Sequence, residues 1–570
     1  MAGFYGQVRD WKSGPLDDAE GELKNLSERL LSLSDEFSQM GAPAGWVGTA
    51  AEAATNKRVA VTEGMEQIVA SVAAARKALM GASDGILGLS HGIKEADNLA
   101  RAHGFSIGDD GTVRDVNPPQ DVPEDQRDDI RRERERIQAE LLDRVEQNLR
   151  RAHDIDDDLA RVLGTLVCVG ADTSEVTGLA AAAALGEDMG ASSLLEPPTG
   201  NGTPGDNAAW WDSLSPDEQR FVIENHPGWI GNRDGIPFTA RDEANQARLE
   251  TEKDKLLAEA ARIRAELDDN LFGGLFTNAD ARLEQVEEHL AAIDTIEKTL
   301  AEPGERQLLL LDFSNPRAEA AIANGNVDTA DHVAVFTPGL TSNVPDSMGS
   351  YDNDMDYLNQ RSVDELDKYG DGGSVATVTW IGYQAPQLSA GSLLSSESVV
   401  FDDAAKAGGA KLTSFLQGID TARDTDAHLT ALGHSYGSTT TGFALQQNTG
   451  VDEAVFFGSP GIGTGDLDDI QVPDGHATYI EAKNDAVGDF GHFGIDPSHM
   501  DGMGHASSSE ARHPDDGRLL SEVTGHTSYL NDGSTSQYNM SVIVGGMDRV
   551  VEGANRGIGD VGSWPIPGTY

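Results

Sequence analysis

The sequence predicts a C-terminal α/β domain with a mostly parallel sheet, preceded by a long all-α region. Three observations carry this reading. Up to about residue 303, apolar residues recur at spacings of three and four, the helical period. From about residue 306, short runs rich in Val, Ile, Leu and Phe alternate with turns, without the strict alternation of a half-exposed strand. One of those runs leads straight into a serine between two glycines, Gly433-His434-Ser435-Tyr436-Gly437.

Composition bounds the rest. A chain of 570 residues, 38% of them hydrophobic, is too long for one core. No run of 18 apolar residues occurs, so no membrane-spanning helix is expected. The start, Met1-Ala2-Gly3-Phe4-Tyr5, has no basic segment followed by an apolar one, so no ordinary signal peptide is expected. The formal net charge of −54 argues against nucleic acid and anionic membrane surfaces as partners, because both would repel it. The acidic residues are spread along the chain and read as a solvated surface. The single cysteine, Cys168, excludes an intramolecular disulfide and a cysteine-based zinc site. Its apolar neighbours Val167 and Val169 point to a small buried hydrophobe.

Residues 1–105 read as a helical hairpin. Leu16, Ala19, Leu23, Leu26, Leu30, Leu33 and Phe37 form one heptad-type seam. A second runs from Val61 through Met65, Ile68, Val72, Leu79, Ile86 and Leu89 to Ile93. Gly41-Ala42-Pro43-Ala44-Gly45 turns the chain between them, followed by Trp46-Val47-Gly48. Helix, WxG turn and helix in this order resemble the WxG-type hairpins exported by type VII secretion systems. The export signal of that group is missing here: His91-Gly92-Ile93-Lys94-Glu95 stands in its place. The cytoplasm and type VII-like export therefore both remain open as locations. The hairpin leaves room for a helical partner.

Residues 106–122 read as a loop. A third helix is expected from about Pro123 to Leu166, then an Ala-rich stretch and a Gly/Pro/Asn linker, so that 123–200 forms a second segment. Residues 208–303 form a helical region that starts at Ser215-Pro216-Asp217-Glu218 and is interrupted at Gly273-Gly274. Residues 306–570 form the α/β domain. Its expected strands are Leu308–Asp312, His332–Thr337, Ser374–Trp380, Ala427–Leu432, Glu453–Phe457 and Ala477–Ala482.

Ala427–Leu432 reads as a strand that enters Gly433, and Ser438–Leu445 as a helix of small residues. Strand, sharp turn and helix form the context in which Gly-x-Ser-x-Gly acts as a nucleophile elbow. The two glycines leave room for neighbouring backbone, and the hydroxyl of Ser435 projects above the helix N-terminus. A serine hydroxyl needs a general base, an acid to orient that base, and two N–H groups for the oxyanion. The donors are expected to be the backbone N–H groups of Tyr436 and Leu340, with Thr341 as the alternate to Leu340. The acid is expected at Asp485, just after a late strand, with Asp489 second. Five histidines could supply the base: His492, His499, His505, His513 and His526. His526, in the loop before the expected last helix Ser536–Gly545, is the choice, with His505 second. His492, His499, His505 and His513 interleave with Asp489, Asp496, Asp501 and Asp515, but match no compact ligand spacing. That stretch reads as a lid or cap loop, with no metal and no cofactor.

Further residues strengthen the pattern. They are Thr337-Pro338-Gly339, Trp380-Ile381-Gly382-Tyr383, Phe457-Gly458-Ser459-Pro460-Gly461, Asp485 and Gly525-His526-Thr527-Ser528-Tyr529. With the elbow, they make residues 306–550 resemble an actinobacterial α/β-hydrolase family of uncharacterised function. Trp210-Trp211, Ser213-Leu214-Ser215, Gly235-Ile236-Pro237, Arg241-Asp242 and Ala244-Asn245 resemble the helical region that precedes such domains. The resemblance implies the α/β-hydrolase fold and a Ser435–Asp485–His526 triad, and no particular substrate. The leading expectation is an esterase or lipase-like serine hydrolase working through an acyl-enzyme. A secretion-associated interaction protein and an amidase or peptidase are the alternatives.

Overall fold

A computed structural model describes residues 4–39, 45–120, 122–123, 127–168, 171, 173, 178–191, 196–200, 202–269, 279–387, 398–423, 425–485, 487 and 496–553. The chain forms two compact units. One comprises residues 1–118, 138–200 and 209–220, and the other 119–137, 201–208 and 221–570.

The first unit is helical. Helix α1 (Gly14–Gln39) lies against α2 (Thr49–Ala102). Helix α2 buries Val72, Leu79, Ile86, Leu89 and Ile93 of the expected seam, but Ile68 is 49% exposed and Val69 is buried in its place. On α1 the expected Leu26 and Leu33 are instead 39% and 56% exposed. The Ala-rich stretch forms the helix Leu179–Gly190, which packs on α2. A side chain at Gly186 or Gly190 would overlap the carbonyls of Ala70 or Ala74, so glycine allows the close approach. Helix α3 (Arg127–Cys168) contributes Arg144, which meets Asp212 at 2.5 Å and Glu140 at 2.9 Å. The expected loop 106–122 contains a short antiparallel pair, Phe105–Ile107 with Val113–Asp115. Its turn is closed by Asp110, which accepts from the Thr112 N–H at 3.1 Å, a local bond that replaces apolar patterning. The Cys168 side chain, the 40–44 turn and Gly273-Gly274 lie outside the described residues.

The second unit is built on an eight-stranded sheet. Its strands are β1 (Arg306–Asp312), β2 (Glu319–Asn324), β3 (His332–Thr337), β4 (Val375–Ile381), β5 (His428–His434), β6 (Glu453–Phe457), β7 (Ala477–Ile480) and β8 (Gly504–Ala506). The spatial order is β8-β7-β6-β5-β3-β4-β2-β1, and only the pairings made by β2 are antiparallel. This is the α/β-hydrolase fold, a mostly parallel sheet preceded along the chain by an extensive helical region. Val333 and Val335 face one core with α7 (Ser398–Thr421), while Ala334 and Phe336 face another with α6 (Val344–Tyr369) and α9 (Thr535–Val544). Burial on both faces explains why these strands read as continuous apolar runs. Ahead of the sheet, α4 (Phe238–Asp269) and α5 (Ala279–Leu300) pack on β1. Asn245 and Asp242 on α4 bond the two main-chain groups of Leu308, the amide side chain donating at 3.0 Å and the carboxylate accepting at 2.7 Å.

Two strands depart from expectation. Glu319–Asn324 is rich in alanine and carries no β-branched signature beyond Ile322, yet all six residues are buried between neighbours. Gly504-His505-Ala506, expected within a lid or cap loop, is the edge strand β8, held by main-chain pairing to Thr478–Ile480. Main-chain hydrogen bonding makes that short edge without an apolar pattern.

Candidate active site

Strand β5 ends at His434 and helix α8 (Tyr436–Leu445) begins one residue later. Ser435 alone turns the chain, with φ 54° and ψ −132°, a strained conformation for a residue with a side chain. Both glycines of the motif have steric reasons. A Cβ on Gly433 would lie 2.8 Å from the Ser438 Cα, and one on Gly437 would overlap the Thr337 carbonyl oxygen. Gly339 comes equally close: a Cβ there would lie 2.6 Å from the Ser435 Cβ. The described non-glycine residues with positive φ are Thr341, Ser435 and Asn484. The first follows the turn after β3, the second is the elbow, and the third precedes Asp485, so backbone strain gathers around one place.

The structure brings Ser435, His526 and Asp485 together. The His526 Nε2 lies 2.7 Å from the Ser435 Oγ. Its Nδ1 lies 3.0 Å from each carboxylate oxygen of Asp485. Asp485 is 2% exposed. Burial pushes its carboxyl upward, but the hydrogen bond and charge of His526 outweigh this and hold it below its ordinary value, with help from the Tyr529 hydroxyl and the Val487 N–H. Such a carboxylate stays ionised and can fix the tautomer of the imidazole beside it. Asp489 and His492 lie outside the described residues.

Three further residues complete the site, and sequence reasoning gave none of them a role. The Tyr529 hydroxyl donates to Asp485 Oδ2 at 2.6 Å and accepts from the Ala482 N–H at 2.8 Å. His434 reaches the His526 carbonyl oxygen from Nε2 at 2.8 Å. Burial first, and the neighbouring His526 second, push its pKa down to about 4, so it is neutral at physiological pH. Gly458, at the end of β6, has φ 56°, and a Cβ there would lie 2.9 Å from Asp485 Oδ2 and 3.2 Å from His526 Nδ1. The available signals were local: an aromatic three residues after the candidate base, a histidine directly before the nucleophile, and a glycine directly after a strand.

The turn after β3 is also fixed. The Tyr383 hydroxyl donates to the Pro338 carbonyl at 2.7 Å, and its ring stacks on Trp380 and Tyr436 at centroid distances of 5.9 and 6.5 Å. The Thr341 N–H donates to the Pro386 carbonyl at 2.9 Å. That N–H, expected as the alternate oxyanion donor, is therefore already engaged within the protein. The other described histidine candidates lie apart from Ser435. His513 is buried against Glu365 at 3.0 Å, His505 sits on β8, and His499 meets Ser498 at 2.8 Å. Among the described residues no three His, Cys, Asp or Glu side chains converge as a metal site would require.

Comparison with known proteins agrees with this architecture. Residues 314–495 match the family model described as alpha/beta hydrolase. An uncharacterized protein of Mycobacterium bovis is 33% identical over 246 residues, 42% of this chain and 89% of the relative. The chain belongs to the alpha/beta hydrolase family. A longer uncharacterized protein of Mycobacterium tuberculosis is 32% identical to this chain over 279 residues, 46% of the chain. The chain spans 40% of that relative's length. A hyperthermophilic esterase from the archaeon Pyrobaculum calidifontis matches 52% of this chain and 97% of its own, at 11% identity and a TM-score of 0.25. No described helix of the chain is long and apolar enough to cross a membrane.

Proposed function

We propose that this hydrolase is a serine esterase that works through Ser435, His526 and Asp485. One observation carries the reading: an unbroken line of hydrogen bonds from the Ser435 Oγ through both ring nitrogens of His526 to the Asp485 carboxylate. His526 takes the hydroxyl proton on Nε2 as the Ser435 Oγ bonds to the ester carbonyl carbon. The oxyanion is held by the N–H groups of Tyr436 and Leu340. Collapse breaks the ester C–O bond, and His526 returns its proton to the leaving alkoxide. Water then attacks the acyl-enzyme with His526 again as base, releasing the acid. Asp485 keeps the imidazole in the productive tautomer throughout.

A p-nitrophenyl ester series tests this. Wild type should release p-nitrophenol with an initial burst equal to the enzyme present, and Ser435→Ala should lose both burst and turnover. Equal turnover by Ser435→Ala would reject the reading.

A further inference from the structure

We propose that His434, the residue before the nucleophile, is a positioning residue for His526. The proposal rests on the triad reading and adds a part to it. His526 lies in a loop between the bridge at Thr524 and helix α9, outside any strand or helix. No ladder of its own holds that loop. Gly525 is tied on one side, its N–H donating to the Lys483 carbonyl at 2.8 Å. His434 ties the other, from Nε2 to the His526 carbonyl oxygen at 2.8 Å. A carbonyl only accepts, so Nε2 carries the proton.

The same ring also packs against the base in a tilted arrangement. The centroids of His434 and His526 are 4.9 Å apart with the planes at 32°. The ring of Phe457 backs His434 at 5.0 Å and 25°, and Tyr529 lies at 5.9 Å. One side chain therefore fixes the main chain of the base, limits the tilt of its imidazole, and touches the tyrosine that holds Asp485. Phenylalanine would supply the ring without the donor. Glutamine would supply a donor without the ring.

The two contributions separate in turnover numbers of the full chain. Wild type, His434→Phe and His434→Gln are assayed on one p-nitrophenyl ester. Active sites are counted by labelling to completion with a fluorophosphonate and reading intact mass, which removes any loss of folded protein from the comparison. His434→Phe should lower kcat per site about tenfold or more, the scale of a buried hydrogen bond with its acceptor orphaned. KM should stay within about twofold, because substrate contacts are untouched. His434→Gln should recover most of the loss. A His434→Phe variant with the wild-type kcat per site overturns the proposal, as does a fall of both variants to the same level with KM rising in step. If wild-type Ser435 itself takes no label, the triad reading fails and this role falls with it. Labelled wild type beside a fully active His434→Phe removes the positioning role alone.

Discussion

Replacing Tyr529 with Phe removes one oxygen that makes two bonds. The hydroxyl donates to Asp485 Oδ2 at 2.6 Å and accepts from the Ala482 N–H at 2.8 Å. Tyr529 is 1% exposed, so water cannot take over either bond. A hydrogen bond to a charged group contributes about 1.5–3 kcal/mol, and an orphaned buried N–H costs about 1–3 kcal/mol. The two share an atom and do not add fully, so Tyr529→Phe should cost about 3 kcal/mol at neutral pH. The pH dependence has a definite sign. Asp485 is held below its ordinary value, so its stabilising share is present above the unfolded carboxylate pKa, near about 3.9, and is lost as pH falls through the folded value. The charge part of the cost is therefore full at pH 7 and fades only in strong acid, while the Ala482 part persists at every pH. Urea unfolding of both proteins at neutral pH, followed by intrinsic fluorescence, measures the sum. A difference under about 0.5 kcal/mol, the range of an ordinary surface substitution, would refute the reasoning.

Three other predictions follow from neighbouring features. Gly458→Ala should cut kcat by at least about a hundredfold, because the new methyl presses on Asp485 and His526 from a backbone already at φ 56°; ester turnover near the wild-type rate would contradict it. His434 is pushed down to about 4, so the folded state resists a proton that the unfolded chain takes near about 6.5. Wild type should lose up to about 3 kcal/mol between those pH values through this residue. His434→Phe lacks that loss, so urea unfolding at pH 7.5 and 5 should show the stability gap narrowing toward acid; a gap constant with pH would be inconsistent. With a net charge of −54, self-repulsion opposes the compact state, and salt screens it as the Debye length falls from about 10 Å at 0.1 M to about 3 Å at 1 M. The melting temperature should rise with sodium chloride over that range, and a flat or falling trend would show that the charges are already paired.

The central strands were legible because their burial on two faces writes itself as apolar runs: Glu453–Phe457 and His332–Thr337 fall where the sequence places them. Helix α9 was legible to within a residue at its N-terminal boundary, because Ser534 caps it and the preceding Asn531-Asp532-Gly533 breaks the chain. Strand β2 was not legible, since its five small or polar residues carry no strand preference and their burial is set by neighbours on both sides. The short edge β8 was hidden for a similar reason: three residues paired only through their main chain look like loop. The site divides the same way. Ser435, Asp485 and His526, which the fold brings within hydrogen-bond reach of one another, were candidates from their order along the chain. His434, Tyr529 and Gly458 act through approach distances that only the folded chain creates, and a residue such as His513 could be set aside only once its burial against Glu365 was visible.

The most direct measurement is intact-mass and peptide mapping of the full chain after exposure to a fluorophosphonate, with Ser435→Ala alongside. One adduct per wild-type molecule is expected, located on Ser435, and none on the variant. Folded wild type without an adduct, or an adduct that persists in Ser435→Ala, would contradict that expectation.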